Sequence, residues 1–248
     1  MKAHPLSRID ALPDFTAALA RHGLNVVGTT SVAAYDASVP HDVRLARHIP
    51  AARGLLVIGN GGGAFWRAFE AFCRAHPDHA ASADPIDGFT RHVVDAAVVA
   101  AGLDGPVLYP FGEAPTPASF MHLAECAGLG RRSLLGVLVH PVYGPWLALR
   151  AAVPLATEVA APRPADGFDP CPTCVERPCI AACPTGAVTA AGWDIPSCAA
   201  QRAADDEPCA PQCHARVECV LGREHRYPSA ALAYHQRRAR PMLLAARR

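Results

Sequence analysis

The chain has 248 residues, enough for one or two domains, and 51% of them are hydrophobic, so a full core is available and wholesale disorder is excluded. A formal net charge of +1 gives no electrostatic case for a nucleic acid or an anionic membrane as partner. Lys2 is the only lysine; with alanine so abundant, the arginines read as GC-rich codon usage and not as a binding signature.

The first residues, Met1 to Phe15, carry Pro5, Arg8, Asp10, Pro13 and Asp14 and lack the apolar run of a secretory signal. Leu12, Phe15 and Leu19 share a helical face, which Gly23 ends in a left-handed cap. Leu24–Gly28 and Leu55–Gly59 are strand-length apolar runs. Asn60-Gly-Gly-Gly63 then breaks the chain. It reads as a tight turn, because it lacks the spacing of a phosphate-binding loop. Phe65, Trp66, Phe69, Phe72 and Cys73 mark a second helix, stopped by His76-Pro77. Asp84 and Asp87 flank a proline at the start of a third helix, with Phe89, Val93, Ala97 and Ala101 inward, and capping is their expected role.

Val107–Tyr109 reads as a strand, and Thr116-Pro117 opens a helix running to Ala127. Leu135–His140 and Trp146–Val153 are expected strands joined as a hairpin through Pro141–Pro145. Gly136–Leu155 is the most apolar stretch, but His140, Pro141, Pro145, Arg150 and Pro154 make it no membrane span. Val159–Pro170 is rich in proline and glycine and reads as a linker. Residues 1–162 therefore form one expected α+β domain and 163–248 a second. The arginine-rich end, from Arg223, reads as a solvated helix and tail.

Ten cysteines are present, and eight of them lie between Cys171 and Cys219. With no export signal, the expected location is a reducing cytoplasm, where clustered cysteines are metal ligands before they are disulfides. Cys171, Cys174, Cys179 and Cys183-Pro184 form a C-x2-C-x4-C-x3-C-P run, followed by Cys198, Cys209, Cys213 and Cys219. The run matches that of bacterial ferredoxins except for two extra residues before Cys179. Cysteines two residues apart let neighbouring sulfurs reach one centre, and eight thiols make two sites of four. One cluster with spare thiols remains an alternative, as does zinc with His214 joining a site. The spacing favours two 4Fe–4S clusters, since zinc ribbons pair C-x2-C with another C-x2-C. Cys73 and Cys126, among apolar neighbours, are expected core thiols.

Two stretches resemble known families. Ala124-Glu-Cys-Ala-Gly-Leu-Gly130, Gly144-Pro-Trp146 and the cysteine run through Cys183-Pro-Thr-Gly-Ala-Val188 resemble epoxyqueuosine reductase. Asp84-Pro-Ile-Asp87 and Gly136–Arg150, with His140-Pro-Val-Tyr-Gly144-Pro-Trp146, resemble CblC-type cobalamin-processing proteins. The resemblance implies a nitroreductase-like, cobalamin-binding first domain and a bacterial-ferredoxin-like second domain. It implies that Cys171, Cys174, Cys179 and Cys219 hold one 4Fe–4S cluster, and Cys183, Cys198, Cys209 and Cys213 the other. It also implies that His140, Tyr143, Gly144, Trp146 and Arg150 belong to a cobalamin site.

Trp146, Ala148 and Arg150 alternate, so on a strand they share one face, either against a macrocycle or packed on each other. His140 either donates to a cofactor or is a structural group. The segment Leu108–Pro117 has no aspartate where epoxyqueuosine reductases carry their proton donor, leaving Glu113 as the substitute. The helical-repeat region that meets transfer RNA in that family has no counterpart here, and Cys219-Val220 replaces the usual Cys-Pro. The expected activity is thus an iron–sulfur oxidoreductase that takes single electrons from a redox partner protein and passes them to a bound corrinoid, with epoxyqueuosine reduction itself not expected. The alternatives are a ferredoxin-like electron carrier whose first domain docks a partner, and a zinc-bound interaction module.

Overall fold

The computed structural model describes residues 12–103, 105–111, 118–160 and 168–245. Glu113, Thr116, Pro117 and most of the expected linker lie outside them. The chain divides into two units, Met1–Leu129 with Ala148–Gly167, and Gly130–Leu147 with Phe168–Arg248. The segment 130–147, read from sequence as part of the first domain, therefore belongs with the cysteine-rich part.

In chain order the helices are α1 (Leu12–Ala20), α2 (Val32–Ser38), α3 (Leu45–His48), α4 (Ala64–Ala75), α5 (Pro77–Ala80), α6 (Pro85–Ala100), α7 (Phe120–Cys126), α8 (Pro170–Thr173), α9 (Pro178–Ala181), α10 (Ile195–Ala204), α11 (His214–Val217) and α12 (Ser229–Ala245). The strands are β1 (Val26–Ser31), β2 (Gly54–Gly61), β3 (Arg131–Arg132), β4 (Leu138–Val139), β5 (Leu147–Leu155), β6 (Val188–Thr189) and β7 (Gly192–Trp193).

The first unit is built on a three-stranded sheet in the order β1-β2-β5. β2 is buried along its whole length, as a central strand must be. β1 pairs with it antiparallel, from Val26 opposite Gly59 to Ser31 opposite Gly54. Helix α1 buries Phe15 and Leu19 and ends where Gly23 turns left-handed at φ +75°. Phe65, Phe69 and Phe72 of α4 close on Phe89 of α6, with ring centroids 5.4, 5.9 and 5.0 Å away. The periodic residues thus do what their spacing predicts. Helices α2 and α3 carried too weak a pattern to be read from sequence. Ser31 caps α2 by accepting from Ala34 N (3.0 Å), and the Asp36 carboxylate accepts from Leu45 N (2.7 Å) and Ala46 N (3.1 Å) at the start of α3.

The expected hairpin between Leu135–His140 and Trp146–Val153 does not form. β4 is short and pairs antiparallel with β3, while β5 joins the sheet of the first unit. The turn 140–144 closes through a His140–Gly144 bridge and forms no longer ladder. Of Asn60–Gly63, read from sequence as a turn, Asn60 and Gly61 end β2 and only Gly62 and Gly63 turn; Gly61 exchanges two hydrogen bonds with the Asn25 amide, at 2.8 and 3.1 Å. Val107–Tyr109 is reduced to one bridge, Leu108 to Ala152, with both bonds at 2.8 Å.

The second unit has few large aliphatic residues to bury. One of its core clusters joins Leu135, Val188 and Ala215 to Leu134, Val137 and Ile180, and to the sulfurs of Cys179, Cys183, Cys213 and Cys219. Cysteine sulfur thus fills space that leucine and isoleucine fill in an ordinary core.

Candidate metal centre

Short turns carry the cysteines. Helix α8 is a single turn with Cys171 inside it and Cys174 just past its end, where Cys174 N donates to Pro170 O at 3.1 Å. Three residues on, Arg177 adopts φ +42°, the only non-glycine residue at positive φ among the described residues. A left-handed residue of this kind costs about 1–2 kcal/mol. It reverses the chain into Pro178, the first residue of α9, and so accommodates the two residues this run has beyond the ferredoxin spacing. Cys179 lies in α9, Cys183 follows it, Cys198 sits in α10, Cys213 is the residue before α11, and Cys219 follows α11.

These turns bring the eight thiols to two cavities. Cys171, Cys174, Cys179 and Cys219 line one of about 30 Å³. Cys183, Cys198, Cys209 and Cys213 line another of about 430 Å³. The fourth cysteine of the run, Cys183, thus leaves its three neighbours for the other cavity. That crossing is the pattern of two-cluster ferredoxins.

Within each group the sulfurs act on one another. Burial pushes the Cys179 thiol up, and so do Cys219, Cys171 and Cys174. Burial also raises Cys209, followed by Cys198 and Cys213. Burial raises Cys198, Cys213 and Cys219 as well. Cys183 moves the other way. Burial opposes its ionisation, but the Thr185 hydroxyl and the backbone N–H groups of Val188, Thr185 and Ala187 surround its sulfur and bring it below the ordinary thiol value. Cys-Pro-Thr-Gly is therefore a preformed nest for a thiolate.

The donor set fits a cluster better than a single ion. Among the described residues, no group of three or more His, Cys, Asp or Glu side chains is arranged to hold one metal ion. Zn–S bonds of about 2.3 Å require sulfurs within about 4 Å of each other. In a cubane each thiolate binds its own iron at a separate corner, so its four ligands need not meet at one atom. The Nε2 of His214 is engaged with Pro208 O at 2.7 Å.

Arg202, which sequence reading passed over, holds the second group in place. It is 3% exposed. Its guanidinium donates to Asp206, which starts the turn carrying Cys209, and to Gln236 Oε1 (2.9 Å) and Gln236 O (3.1 Å) of α12. The one legible signal was an Arg–Asp pair four residues apart at a helix end.

The residues named for a cobalamin site lie apart from one another in role. Trp146 is fully buried, its ring 5.6 Å from Tyr227, with the Arg216 guanidinium 5.0 Å from it. Arg150, 7% exposed, donates from Nε to Asn60 Oδ1 (2.7 Å) and lies 4.6 Å from the Phe65 ring. Both are packed within their own units and offer no open Trp–Arg face. The His140 Nδ1 accepts from Val142 N (3.0 Å) and Tyr143 N (3.2 Å), which stabilises the turn and leaves Nε2 to carry the ring proton. Burial, then the nearby His225, lowers its pKa and keeps it neutral. Tyr143 packs edge-on against His225 at 4.7 Å. Gly144, at φ +56°, lies against the backbone of Leu221 and Gly222. Cys73 and Cys126 are only partly buried and are not the core thiols expected from their apolar neighbours.

No protein-family model and no curated relative matches the chain. Solved structures do. A selenomethionine-labelled epoxyqueuosine reductase superimposes with a TM-score of 0.58 at 16% identity, over 93% of this chain and 69% of that one. Epoxyqueuosine reductase from Bacillus subtilis gives 0.56 at 13% identity, over 91% and 68%. The B12-trafficking protein CblC from C. elegans gives 0.55 at 12% identity, over 96% of each chain. The chain shares its fold with these proteins. Among the described residues, no helix is long and apolar enough to cross a membrane.

Proposed function

We propose that this protein is an iron–sulfur oxidoreductase that takes single electrons through two 4Fe–4S clusters and delivers them to a bound corrinoid. The observation that carries the cluster part is the convergence of eight cysteines on two cavities, four to each. Cys171, Cys174, Cys179 and Cys219 would hold one cluster, and Cys183, Cys198, Cys209 and Cys213 the other. When bound, such clusters supply one-electron transfer across a range of about −700 to +450 mV, low enough for reduced cobalt. The chain's own residues set the conditions. The hydrogen bonds around Cys183 favour ionisation of its thiol, and the arginine clamp on α10 and α12 keeps the second group assembled.

The corrinoid part is supported by the fold shared with a B12-trafficking protein and by the His140–Gly144 sequence. Trp146 and Arg150 are packed away and receive no role at the macrocycle; His140 and Tyr143, half-exposed, remain candidates. That same packing favours a second reading, in which the protein is an electron carrier and the first unit docks a partner.

Anaerobic reconstitution with iron and sulfide, followed by titration with cobalamin, separates the readings. About eight irons and a shift of the corrin absorption support the full proposal. Clusters without a corrin shift leave the carrier, and two zinc ions without sulfide remove both. Cys171→Ser and Cys213→Ser are each expected to lose one cluster and keep the other.

A further inference from the structure

The two groups have the same four thiols and differ in what their sulfurs accept. Charge does not separate them. Arg177 lines the first cavity and Arg216 the second; both are half-buried, and neither has a carboxylate partner among the described residues. Arg202 and Arg240, beside the second group, are paired with Asp206. Exposed acids stand near both groups in the chain, Glu176 and Glu218 at the first and Asp194, Asp205 and Glu207 at the second, where solvent screens them.

Hydrogen bonding does separate them. At the second group, Thr185 Oγ1 lies 3.4 Å from Cys183 Sγ and accepts from Ala187 N at 3.3 Å. Against a thiolate only the hydroxyl can donate, so the Thr185 proton belongs to the sulfur. The Trp193 side chain donates to Cys198. Its ring is seated over Gly136, where a Cβ would come 2.4 Å from Cε3, so the absence of a side chain at 136 fixes the place of the indole. Cys213 accepts from the backbone N–H groups of Arg216 and Ala215.

The first group's sulfurs rest on backbone donors, Ile180 N for Cys179 and Leu221 N for Cys219. Two hydroxyls beside that group are committed elsewhere. Thr173, between Cys171 and Cys174, donates to Pro170 O (3.2 Å), and Ser133, in the lining of the cavity, donates to Val137 O (2.7 Å).

A cluster gains one negative charge on reduction. Hydrogen bonds to its sulfurs stabilise the more negative state and raise the reduction potential. We propose that Thr185 and Trp193 hold the second site at the higher potential, so that the first electron added to the protein rests there. This rests on the two-cluster reading above and adds the order of the two sites. The reductant loses one electron and the second cluster gains it; no bond forms or breaks and no proton is required.

The test is a redox titration with dithionite, followed by EPR, on reconstituted holoprotein. Cys171→Ser keeps the second cluster alone and Cys213→Ser the first, so the two midpoints are read separately. The second is expected to be the higher. Trp193→Phe keeps a ring over Gly136 and removes the N–H, and Thr185→Val removes the hydroxyl at nearly constant volume. Each is expected to disfavour the reduced second cluster about tenfold, which a one-electron titration reads as about 59 mV downward. The first cluster's midpoint should not move in either variant, and Thr185→Ser should restore the second. A merely structural role would lower iron content without moving a midpoint. A first cluster that titrates at the same or higher potential overturns the proposal, as do variants at full iron content whose second midpoint stays in place. Protein that takes up no iron and sulfide fails earlier, before any titration, and removes the two-cluster reading with everything built on it.

Discussion

Gly144→Ala should empty the first cluster site without touching the second. Residues 143–144 and 221–222 cross back to back. A Cβ at 144 would lie 2.2 Å from Leu221 O and 2.6 Å from its carbonyl carbon, where real Cβ contacts stay beyond 3.0 Å. Gly222 faces the same crossing, with a Cβ there 2.3 Å from the Tyr143 carbonyl. Both glycines hold left-handed conformations, at φ +56° and +62°. A side chain in that conformation costs about 1–2 kcal/mol. Forcing two backbones apart adds about 1–3 kcal/mol. The sum, roughly 2–5 kcal/mol, falls on the segment that follows Cys219, since neither backbone can yield as a side-chain tip would. Cys219 then leaves the group formed with Cys171, Cys174 and Cys179. Iron should fall from about eight to about four per chain, with matching loss of sulfide and of one EPR signal. The urea midpoint of the apo-protein should fall as well. Full iron with an unchanged midpoint would refute the reasoning, because the crossing would then have slack that the backbone distances deny.

Three further outcomes follow from the same geometry. Five partly buried thiols, Cys179, Cys198, Cys209, Cys213 and Cys219, have pKa values raised above the ordinary thiol value, so the folded apo-protein holds those protons more tightly than the unfolded chain. Its stability is then fully present below about pH 9 and lost as pH rises through the raised values, whereas iron uptake, which needs thiolates, should improve over that range; urea midpoints and uptake rates against pH check both signs. Arg202→Met removes a buried donor to Asp206 and Gln236 and should cost about 2 kcal/mol, with iron lost first from the second cluster by EPR. Trp146→Phe should destabilise the protein by about 1–3 kcal/mol in urea while leaving any corrin absorption shift intact, because the indole is fully buried; loss of that shift at full iron content would restore Trp146 to the corrinoid site.

Much of the first unit was legible because its signals are periodic. Phe65, Phe69 and Phe72 recur at helical spacing and do face Phe89. Gly23 marked a helix end and turns left-handed there. What failed was pairing, which spacing does not encode. Leu135–His140 and Trp146–Val153 have strand composition and a proline-rich turn between them, as a hairpin would. Yet β5 finds its partner in β2, almost ninety residues away in sequence, and β4 takes two residues of β3. The alternation of Trp146 with Arg150 was likewise real as a pattern and silent about which side would be covered.

The cysteine groups lie at the other extreme. Their spacing is local chemistry, readable without any knowledge of the fold, and the turns that carry them are single helical turns written in the same few residues. The residues that make those groups work are not local. Arg202 matters because Gln236 sits opposite, and Gly144 because Gly222 does. Neither pair has a sequence signature, since each depends on chain segments 34 and 78 residues apart meeting at backbone distance. A cluster needs little from the chain beyond thiolates, so its ligands can be spelled out in a motif. Holding four thiolates still against their own repulsion needs the whole second unit. That is why the ligands were the legible part and their supports were not.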